Sequence, residues 1–431
     1  MRYKSNSSYT IINNLTNIFF KPERLILINF SVLLIFAMFG TGPPDSWWGG
    51  VRKSKEAFYS ESSNLSKQII YISLFISSVI ALIGNQNELI SFIKKEKYFS
   101  IFISFCILSM IWSEESMISF KRSFQSFVDY LVIIMAVVFI KPQKVLNSVR
   151  IIVTLYILMT FFVVMVLPQG IDPVFNTWRG LSTQKNGLAQ IALFCFLCSL
   201  FFYSMDDSIY SKYWNYFVMG SSVLIIFMAS SSTIILVFLI IGGISLLIKI
   251  SKAFNEIRMG KVIFVTIISF VMIFLLFILF FAGEIFALVT DIFNKDLTFT
   301  GRTIYWPYLI GDVQKNLFLG WGFGSYWVMG SEHLYRLFII ENLRMNTAHN
   351  GYIDLALQLG LIGFSIFIII VVVFFRRALK IDNYAAVLTI GAILISNITS
   401  TIFLGDDSLT FGFYYFYLMI SKSYYLSEAQ N

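Results

Sequence analysis

The sequence predicts an all-α, polytopic membrane protein, and three features of its composition support this fold class. Hydrophobic residues make up 57% of the 431 residues, and charged residues only 13%. A soluble globular chain is nearer half apolar and a quarter charged. The mean hydropathy is +0.77, and 46 Phe and 22 Tyr supply aromatic side chains suited to lipid-facing and interfacial surfaces.

About twelve transmembrane helices are predicted, because runs of about 17 to 25 apolar residues are long enough to cross a bilayer. The whole chain, 1–431, is therefore expected to form a single integral membrane domain. No small-residue cleavage site follows the first run, and "TGPPDSWWGG" is typical of an interfacial turn, so a retained signal-anchor is expected. The predicted spans lie near 25–40, 68–84, 99–112, 124–140, 149–167, 184–204, 214–230, 232–250, 262–282, 352–375, 384–403 and 409–427.

The distribution of Lys and Arg predicts the orientation. A net charge of +8 would also suit a nucleic-acid partner, but the basic residues lie in short loops between apolar runs, which argues against one. With twelve spans these loops share one side, and the positive-inside rule places that side, with both termini, in the cytoplasm. The loop at 205–213 fits least well, because it offers only Lys212. The basic residues counted are Arg2, Lys4, Lys21, Arg24, Lys94, Lys95, Lys97, Lys141, Lys144, Arg150, Lys252, Arg258, Lys261, Arg376, Arg377 and Lys380.

The longest polar segment, 283–351, is predicted to be an external loop before the tenth helix. Segments 41–67, 113–123 and 168–183 are predicted on the same side. Loops of such length inside a compact domain are usually functional. Candidate functional residues are therefore expected in these external segments.

The first candidate segment is "TWRGLSTQKNGLAQ", residues 177–190, which opens the sixth predicted span. Arg179 and Lys185 are expected at or just inside the outer interface, where an unpaired cation is costly. Such cations are therefore candidate functional residues. Snorkelling and helix capping are the alternatives.

The second candidate segment is "FTGRTIYWPYLIGDVQKNLFLGWGFGSYW", residues 299–327. Its "GWGFGS" is not a phosphate loop, because the GxxxxGK pattern is missing. We expect Gly320, Gly322 and Gly324 to allow close backbone approach or positive φ in a packed external loop. Arg302 offers a planar fork suited to phosphate oxygens, and a surface ion pair is the alternative.

The third candidate segment is "NTAHNGYID", residues 346–354, which holds one of only two histidines. Because the tenth span is predicted to start near Asn350, His349 would precede a helix that Asn350 caps. The positive end of the helix dipole disfavours imidazolium, so a neutral imidazole could accept a proton from a hydroxyl. Asp354 would orient the ring or face other helices. A solvated or capping histidine is the alternative.

The remaining polar features are weaker. The fourth segment, 110–127, is interpreted as a solvated helix entrance, and "SSST" at 230–233 as a tight turn. Asp129 is an intramembrane acid, and therefore a candidate, but no partner for it is evident. His333 has no convincing neighbours in the sequence. No metal-ligand cluster, glycosidase-like carboxylate pair or Ser–His–Asp order is found, so no metal is expected.

Taken in order, these motifs resemble the bacterial superfamily of O-antigen ligases and O-antigen or exopolysaccharide polymerases, which are integral membrane glycosyltransferases. The resemblance is carried by "WRGLSTQKNGLA", "TGRTIYW" followed by "LGWGFGSYW", and "AHNGYIDLALQLGLIG", and more loosely by "WSEESMISFKRS". It covers roughly residues 100–375 and is nearest to the exopolysaccharide polymerase branch. Gln184 departs from the pattern, because relatives often have histidine there, which removes a candidate ligand or proton carrier.

The resemblance implies a GT-C-like helical fold and glycan transfer from a polyprenyl diphosphate on the external face of the cytoplasmic membrane, without metal or nucleotide-sugar cofactor. Arg179 and Arg302 would bind the diphosphate, helped by Lys185, and supply the electrostatic stabilisation that a metal supplies elsewhere. His349 would bind or deprotonate the acceptor hydroxyl. Further substrate-binding residues implied are Asn186, Trp306, Asn350 and Tyr352.

Two activities within this superfamily remain open. A polymerase, which is favoured, joins the chain to the next lipid-linked repeat, whereas a ligase transfers the finished glycan to lipid A–core. The implied partners are an undecaprenyl-diphosphate-linked oligosaccharide donor, a glycan acceptor, membrane lipid and, for a polymerase, a chain-length regulator protein. A transporter of lipid-linked oligosaccharides is disfavoured, because no internal repeat is evident and the candidate charges lie at one face. A scaffold in a polysaccharide assembly complex is a further alternative.

Overall fold

The computed structural model describes residues 22–40, 65–83, 86–172, 175–182, 184–203, 208–255, 302–328, 331–341, 347–381, 383–398, 400–401 and 408–430. Within these ranges the chain is helical, and the only β pairing is an isolated bridge between Ile171 and Trp178. The predicted all-α fold is confirmed. The helices are α1 (Pro22–Phe39), α2 (Leu65–Leu82), α3 (Gln86–Lys95), α4 (Lys97–Leu108), α5 (Ser116–Phe139), α6 (Pro142–Val166), α7 (Lys185–Tyr203), α8 (Ile209–Ala229), α9 (Ser232–Asn255), α10 (Arg302–Lys315), α11 (Glu332–Glu341), α12 (Gly351–Lys380), α13 (Tyr384–Ser396) and α14 (Ser408–Gln430).

Six of these helices are long and apolar enough to cross a membrane, namely α1, α2, α5, α6, α7 and α12. Three shorter apolar stretches, Lys97–Ile111, Ser232–Ser245 and Tyr384–Ser396, coincide with other predicted spans. The predicted span near 262–282 lies outside the described residues. A multi-pass membrane protein is therefore confirmed, and the number twelve stays a prediction.

Contacts near the ends of helices define two ends of the bundle. At one end Arg377 donates to both carboxylate oxygens of Glu96, each at 2.8 Å, and Lys144 pairs with Glu23 at 3.2 Å. At the other end lie the first residues of α7, α9 and α12, together with the described parts of the candidate segments. We call these the basic end and the polar end. The polar candidate segments thus share one end of the molecule.

The polar stretch before α12 contains a folded unit of its own, formed by α10, α11 and the loop between them. We call this unit, residues 302–341 where described, the α10–α11 subdomain. The segment predicted as an external loop is therefore partly helical. Its aromatic and aliphatic side chains bury one another, although no apolar run in it is long enough to cross a membrane. It shares a small core with Ala348 and with Leu357 of α12, and its own members of this core are Tyr305, Leu309, Tyr326, Trp327, Leu334 and Leu337.

The loop after α10 is built into a break in α12. Gly360 has φ 61° and ψ −166°, a conformation that interrupts the helix. The Leu361 N–H donates to Leu317 O at 2.8 Å, and the Trp321 N–H donates to Leu357 O at 2.8 Å. The loop backbone thus satisfies groups that the broken helix leaves unpaired, as is required where irregular backbone lies near a membrane.

The glycines of "GWGFG" have the conformations expected of them. Gly320, Gly322 and Gly324 have φ of 67°, 98° and 75°. At Gly320 an added Cβ would lie 2.6 Å from the backbone nitrogens of Leu359 and Gly360. Both expectations, positive φ and close backbone approach, are confirmed, and together they let the loop dock against α12.

Gly360→Ala is expected to destabilise the protein by about 2–4 kcal/mol. The φ/ψ pair is accessible essentially only to glycine, and the new Cβ would lie 2.6 Å from Leu319 N. Gly391→Ala is the matched control, because Gly391 lies within α13 with open space around it and should be neutral or slightly stabilising. Thermal unfolding in detergent measures both variants. Equal melting temperatures would contradict the role assigned to the break.

Candidate active site

A polar cavity of about 240 Å³ opens at the polar end of the bundle, where three helices begin. It is lined at the start of α7, at the start of α9 and by the residues that precede α12. Each helix start places the positive end of a helix dipole at the cavity, which favours an anion. The lining residues are Gln184, Asn186, Gly187, Gln190, Ser231, Thr233, Ile234, Thr347, His349, Ser400 and Thr401.

Among the described residues that line this cavity, His349 is the only one with a titratable side chain. It is exposed, and its φ of 47° is uncommon for a residue other than glycine, so the surrounding structure must hold it in place. The predicted N-cap is confirmed, because Asn350 Oδ1 accepts from the Tyr352 and Ile353 N–H groups at 3.0 and 3.2 Å. His349 therefore directly precedes the N-cap residue of α12.

Asp354 anchors the segment that carries the histidine. Its buried carboxylate accepts from Trp327 Nε1 at 2.5 Å, from the Ala348 N–H at 3.1 Å and from the Thr401 hydroxyl. A single side chain in the first turn of α12 thus ties the backbone beside His349 to the α10–α11 subdomain and to the opposite cavity wall. From the sequence, Asp354 was expected to orient the His349 ring or to face other helices. The structure shows in addition that it anchors the backbone at Ala348.

A second attachment comes from α10. Trp306 Nε1 donates to Ala348 O at 3.0 Å, so both backbone polar groups of Ala348 are held by buried or half-buried side chains. Tyr352 donates from its hydroxyl to Leu394 O at 2.8 Å and thereby joins α12 to α13. The hydrogen bonds of Trp306, Asn350 and Tyr352 therefore support the geometry of the histidine segment.

Arg179 and Lys185 are not among the described residues that line the cavity. Arg179 Nε donates to Gln169 O at 2.7 Å, and the Lys185 ammonium lies 4.0 Å from the centre of the Phe175 ring. Lys185 nevertheless stands between Gln184 and Asn186, which both line the wall. Arg302 is the first residue of α10, and its side chain lies outside the described part of the structure. The cavity thus brings His349 and Asn186 together, with Lys185 adjacent in the chain.

Sequence reasoning missed several polar contacts at this end. The expectation that His333 lacks neighbours is wrong, because its buried ring lies 3.4 Å from Glu114 and 3.7 Å from Asp312. The helix entrance at 110–127 is not wholly solvated either, since Arg122 donates to Gly324 O at 2.6 Å. The "SSST" segment forms the predicted turn, and its residues Ser231 and Thr233 also line the cavity. No spacing rule links positions this far apart, so the sequence carried no signal for these contacts.

Asp312 is the electrostatic centre of the α10–α11 subdomain. Burial raises its pKa, but hydrogen bonds from His333, Lys315, Arg336 and Tyr326 outweigh burial and hold the pKa below its ordinary value of about 4. Arg336 donates to the carboxylate at 2.5 Å and the Tyr326 hydroxyl at 2.7 Å. The ionised carboxylate therefore stabilises the folded subdomain.

We expect the α10–α11 subdomain to loosen in acid. A depressed folded pKa contributes stability that is fully present above the unfolded pKa, about 4, and is lost as the pH falls through the folded value. Amide hydrogen exchange over 305–328, corrected for the intrinsic effect of pH, should show falling protection below about pH 4. Asp312→Asn should lower protection at pH 7 and flatten the dependence. An unchanged pH profile in that variant would contradict the assignment.

Metal ligation is not evident at this site, since the described residues contain no group of three or more His, Cys, Asp or Glu placed to hold an ion. The chemistry available is that of a single imidazole, amides, hydroxyls and helix starts. Such a site can bind an anion next to a proton acceptor. It therefore suits transfer from an anionic leaving group to a hydroxyl.

Comparison with known proteins points in the same direction. A family model described as O-antigen ligase matches residues 217–368, about a third of the chain, which includes the α10–α11 subdomain and the histidine segment. The exopolysaccharide production protein ExoQ of Rhizobium meliloti (strain 1021) is 33% identical over 96 residues, which is 22% of this chain and 22% of that protein. The match thus spans about a fifth of the relative's length. The resemblance to the superfamily of O-antigen ligases and polysaccharide polymerases is confirmed by both findings.

Proposed function

We propose that this protein is a membrane glycosyltransferase that moves a glycan from a polyprenyl diphosphate to a sugar hydroxyl at the outer face of the cytoplasmic membrane. The observation that carries the proposal is the cavity in which His349 meets the starts of α7, α9 and α12. The three helix starts favour the diphosphate of the donor. The uncharged amides and hydroxyls of the remaining wall suit the hydroxyl groups of a glycan.

In the proposed reaction His349 accepts the proton of the acceptor hydroxyl as its oxygen bonds to the anomeric carbon of the donor. The bond from that carbon to the diphosphate breaks, and the diphosphate leaves with the electron pair. This leaving group is already anionic, so a general acid is not needed. Arg179 and Arg302, with Lys185, are proposed to stabilise the growing charge in place of a metal. Asn186 is proposed to contact the donor from the cavity wall.

Within this class we propose a polymerase, which adds the growing chain to the next undecaprenyl-diphosphate-linked repeat, working with a chain-length regulator. The resemblance of the motifs to the exopolysaccharide branch and the match to an exopolysaccharide production protein support this choice. The O-antigen ligase description of the family model supports the alternative, transfer of finished glycan to lipid A–core.

Deletion of the gene separates the two activities. Loss of a polymerase should leave single-repeat glycans, with the ladder above one unit missing on a gel. Loss of a ligase should instead leave long polymer on the lipid carrier and bare lipid A–core. Complementation with the intact gene is the control. Unchanged glycans in both pools would contradict both activities.

The proposed orientation predicts that the α10–α11 subdomain is reached from outside the cell. Ile310 is 47% exposed on α10, so Ile310→Cys should react with a membrane-impermeant thiol reagent in intact cells. The three native cysteines are buried and should stay silent. Lys380→Cys, from the exposed basic end, is the matched control and should react only after permeabilisation. The opposite labelling pattern would invert the orientation.

A further inference from the structure

An open groove of about 390 Å³ lies at the basic end, on the outer faces of α3 and α4. Lys94 and Lys97 flank the end of the groove at which α3 and α4 meet. Ile101, Ser104 and Leu108 continue the groove along α4. It is separate from the cavity of His349, because the basic end and the polar end are opposite ends of α12.

The groove matches the depth of one leaflet. From Lys97 to Leu108 an α-helix rises about 16 Å, roughly half the 30 Å thickness of the hydrocarbon core. Arg377, beside the lysines through its bond to Glu96, marks the level at which α12 leaves its apolar run. The lysines are therefore assigned to headgroup level, and the groove runs from them about 16 Å along α4.

The chemistry of the groove changes along this depth. Its lysine end is basic, and the described residues that line it include no acidic side chain. Glu96, which lies between the two lysines in the chain, is buried and already paired with Arg377, so it does not compensate them. Further down, Ile101 and Leu108 are 49% and 51% exposed and offer an apolar wall. A cationic head followed by an apolar channel is complementary to a phosphate that carries an acyl chain.

We propose that this groove binds one anionic phospholipid, with its phosphate between Lys94 and Lys97 and an acyl chain along Ile101 to Leu108. A polyprenyl phosphate shares the headgroup chemistry, but its chain is several times longer than this groove of about 16 Å. A phospholipid matches the length of the groove with one acyl chain, and its second chain lies in the surrounding bilayer. The site is independent of the proposed glycan transfer.

Native mass spectrometry of the full-length protein tests this proposal, with phosphatidylglycerol and phosphatidylcholine of identical acyl chains as probes. The intact protein should retain phosphatidylglycerol in preference to phosphatidylcholine. Lys94→Gln/Lys97→Gln should weaken its binding about thirtyfold, which corresponds to about 2 kcal/mol at roughly 1 kcal/mol per lysine. Lys141→Gln, an exposed lysine at the same end outside the groove, is the control and should bind as the intact protein does.

Ser104→Phe separates a groove from diffuse surface charge, because it fills the exposed channel without changing any charge. We expect it to weaken phosphatidylglycerol binding with the lysines intact. Binding unaffected by Ser104→Phe, an equal loss in Lys141→Gln, or equal retention of phosphatidylcholine would each overturn the proposal. Stronger retention of undecaprenyl phosphate than of phosphatidylglycerol would show that the occupant is the polyprenyl carrier instead. Circular dichroism confirms that each variant is folded.

Discussion

His349→Asn is expected to abolish glycan transfer, with a rate about 10²–10⁴-fold below that of the intact protein, while the protein inserts at a normal level. The loss corresponds to the usual contribution of a positioned general base. Asparagine is chosen because it tolerates the positive φ of this position, 47°. The backbone before α12 should therefore be retained, and only the proton acceptor is removed. Polymer length in a complemented deletion strain measures the effect.

Two glycine variants provide the control for this prediction. His349→Gly and Ser230→Gly each remove a side chain from an exposed residue at positive φ, but only His349 lines the cavity. The first should be as inactive as His349→Asn, and the second should be close to wild type. Wild-type polymer from His349→Asn would reject the role of the imidazole. Loss of transfer in Ser230→Gly would show that backbone relaxation at this end is itself harmful.

What the sequence could predict follows from the range over which each interaction acts. Spanning helices, the Asn350 cap and the positive φ of Gly320 depend on residues a few positions apart, and all three were foreseen. Hydropathy could not give the fold of 302–341, because its core is assembled from single aromatic residues, such as Trp327 and Tyr326, in mainly polar sequence. α10 and α11 contain too few turns for their hydrophobic periodicity to be recognised in the sequence.

The candidate site shows the same division more sharply. His349 could be found because a lone histidine before an apolar run is visible in one window of sequence. The ring of donors around Asp354 could not, since Trp327, Ala348 and Thr401 converge on it from three separate segments. The cavity wall also depends on helix starts far apart in the chain, which only tertiary packing brings together. Local rules therefore pointed to the proposed reactive group, and the supporting contacts required the structure.

Asp354→Asn is expected to lower transfer about 10–100-fold, with His349 still in place. Three donors share the two oxygens of Asp354, and an amide offers only one acceptor oxygen. At least one buried donor would lose its partner, at a cost of about 1–3 kcal/mol, and the segment beside His349 would shift. Because small displacements of a catalytic group reduce the rate strongly, turnover should fall more than donor affinity.

Glu96→Gln distinguishes this positioning effect from a general loss of stability. It removes the charge that pairs with buried Arg377 at the basic end and should destabilise the protein at least as much, because an uncompensated buried cation remains. Transfer per folded molecule should nevertheless stay near wild type in Glu96→Gln and fall in Asp354→Asn. In vitro turnover at matched amounts of folded protein makes the comparison. If both variants lost turnover in proportion to their stability, Asp354 would only hold the fold together, and the placement of the imidazole would depend on other contacts, of which the Trp306 bond to Ala348 would be the next to test.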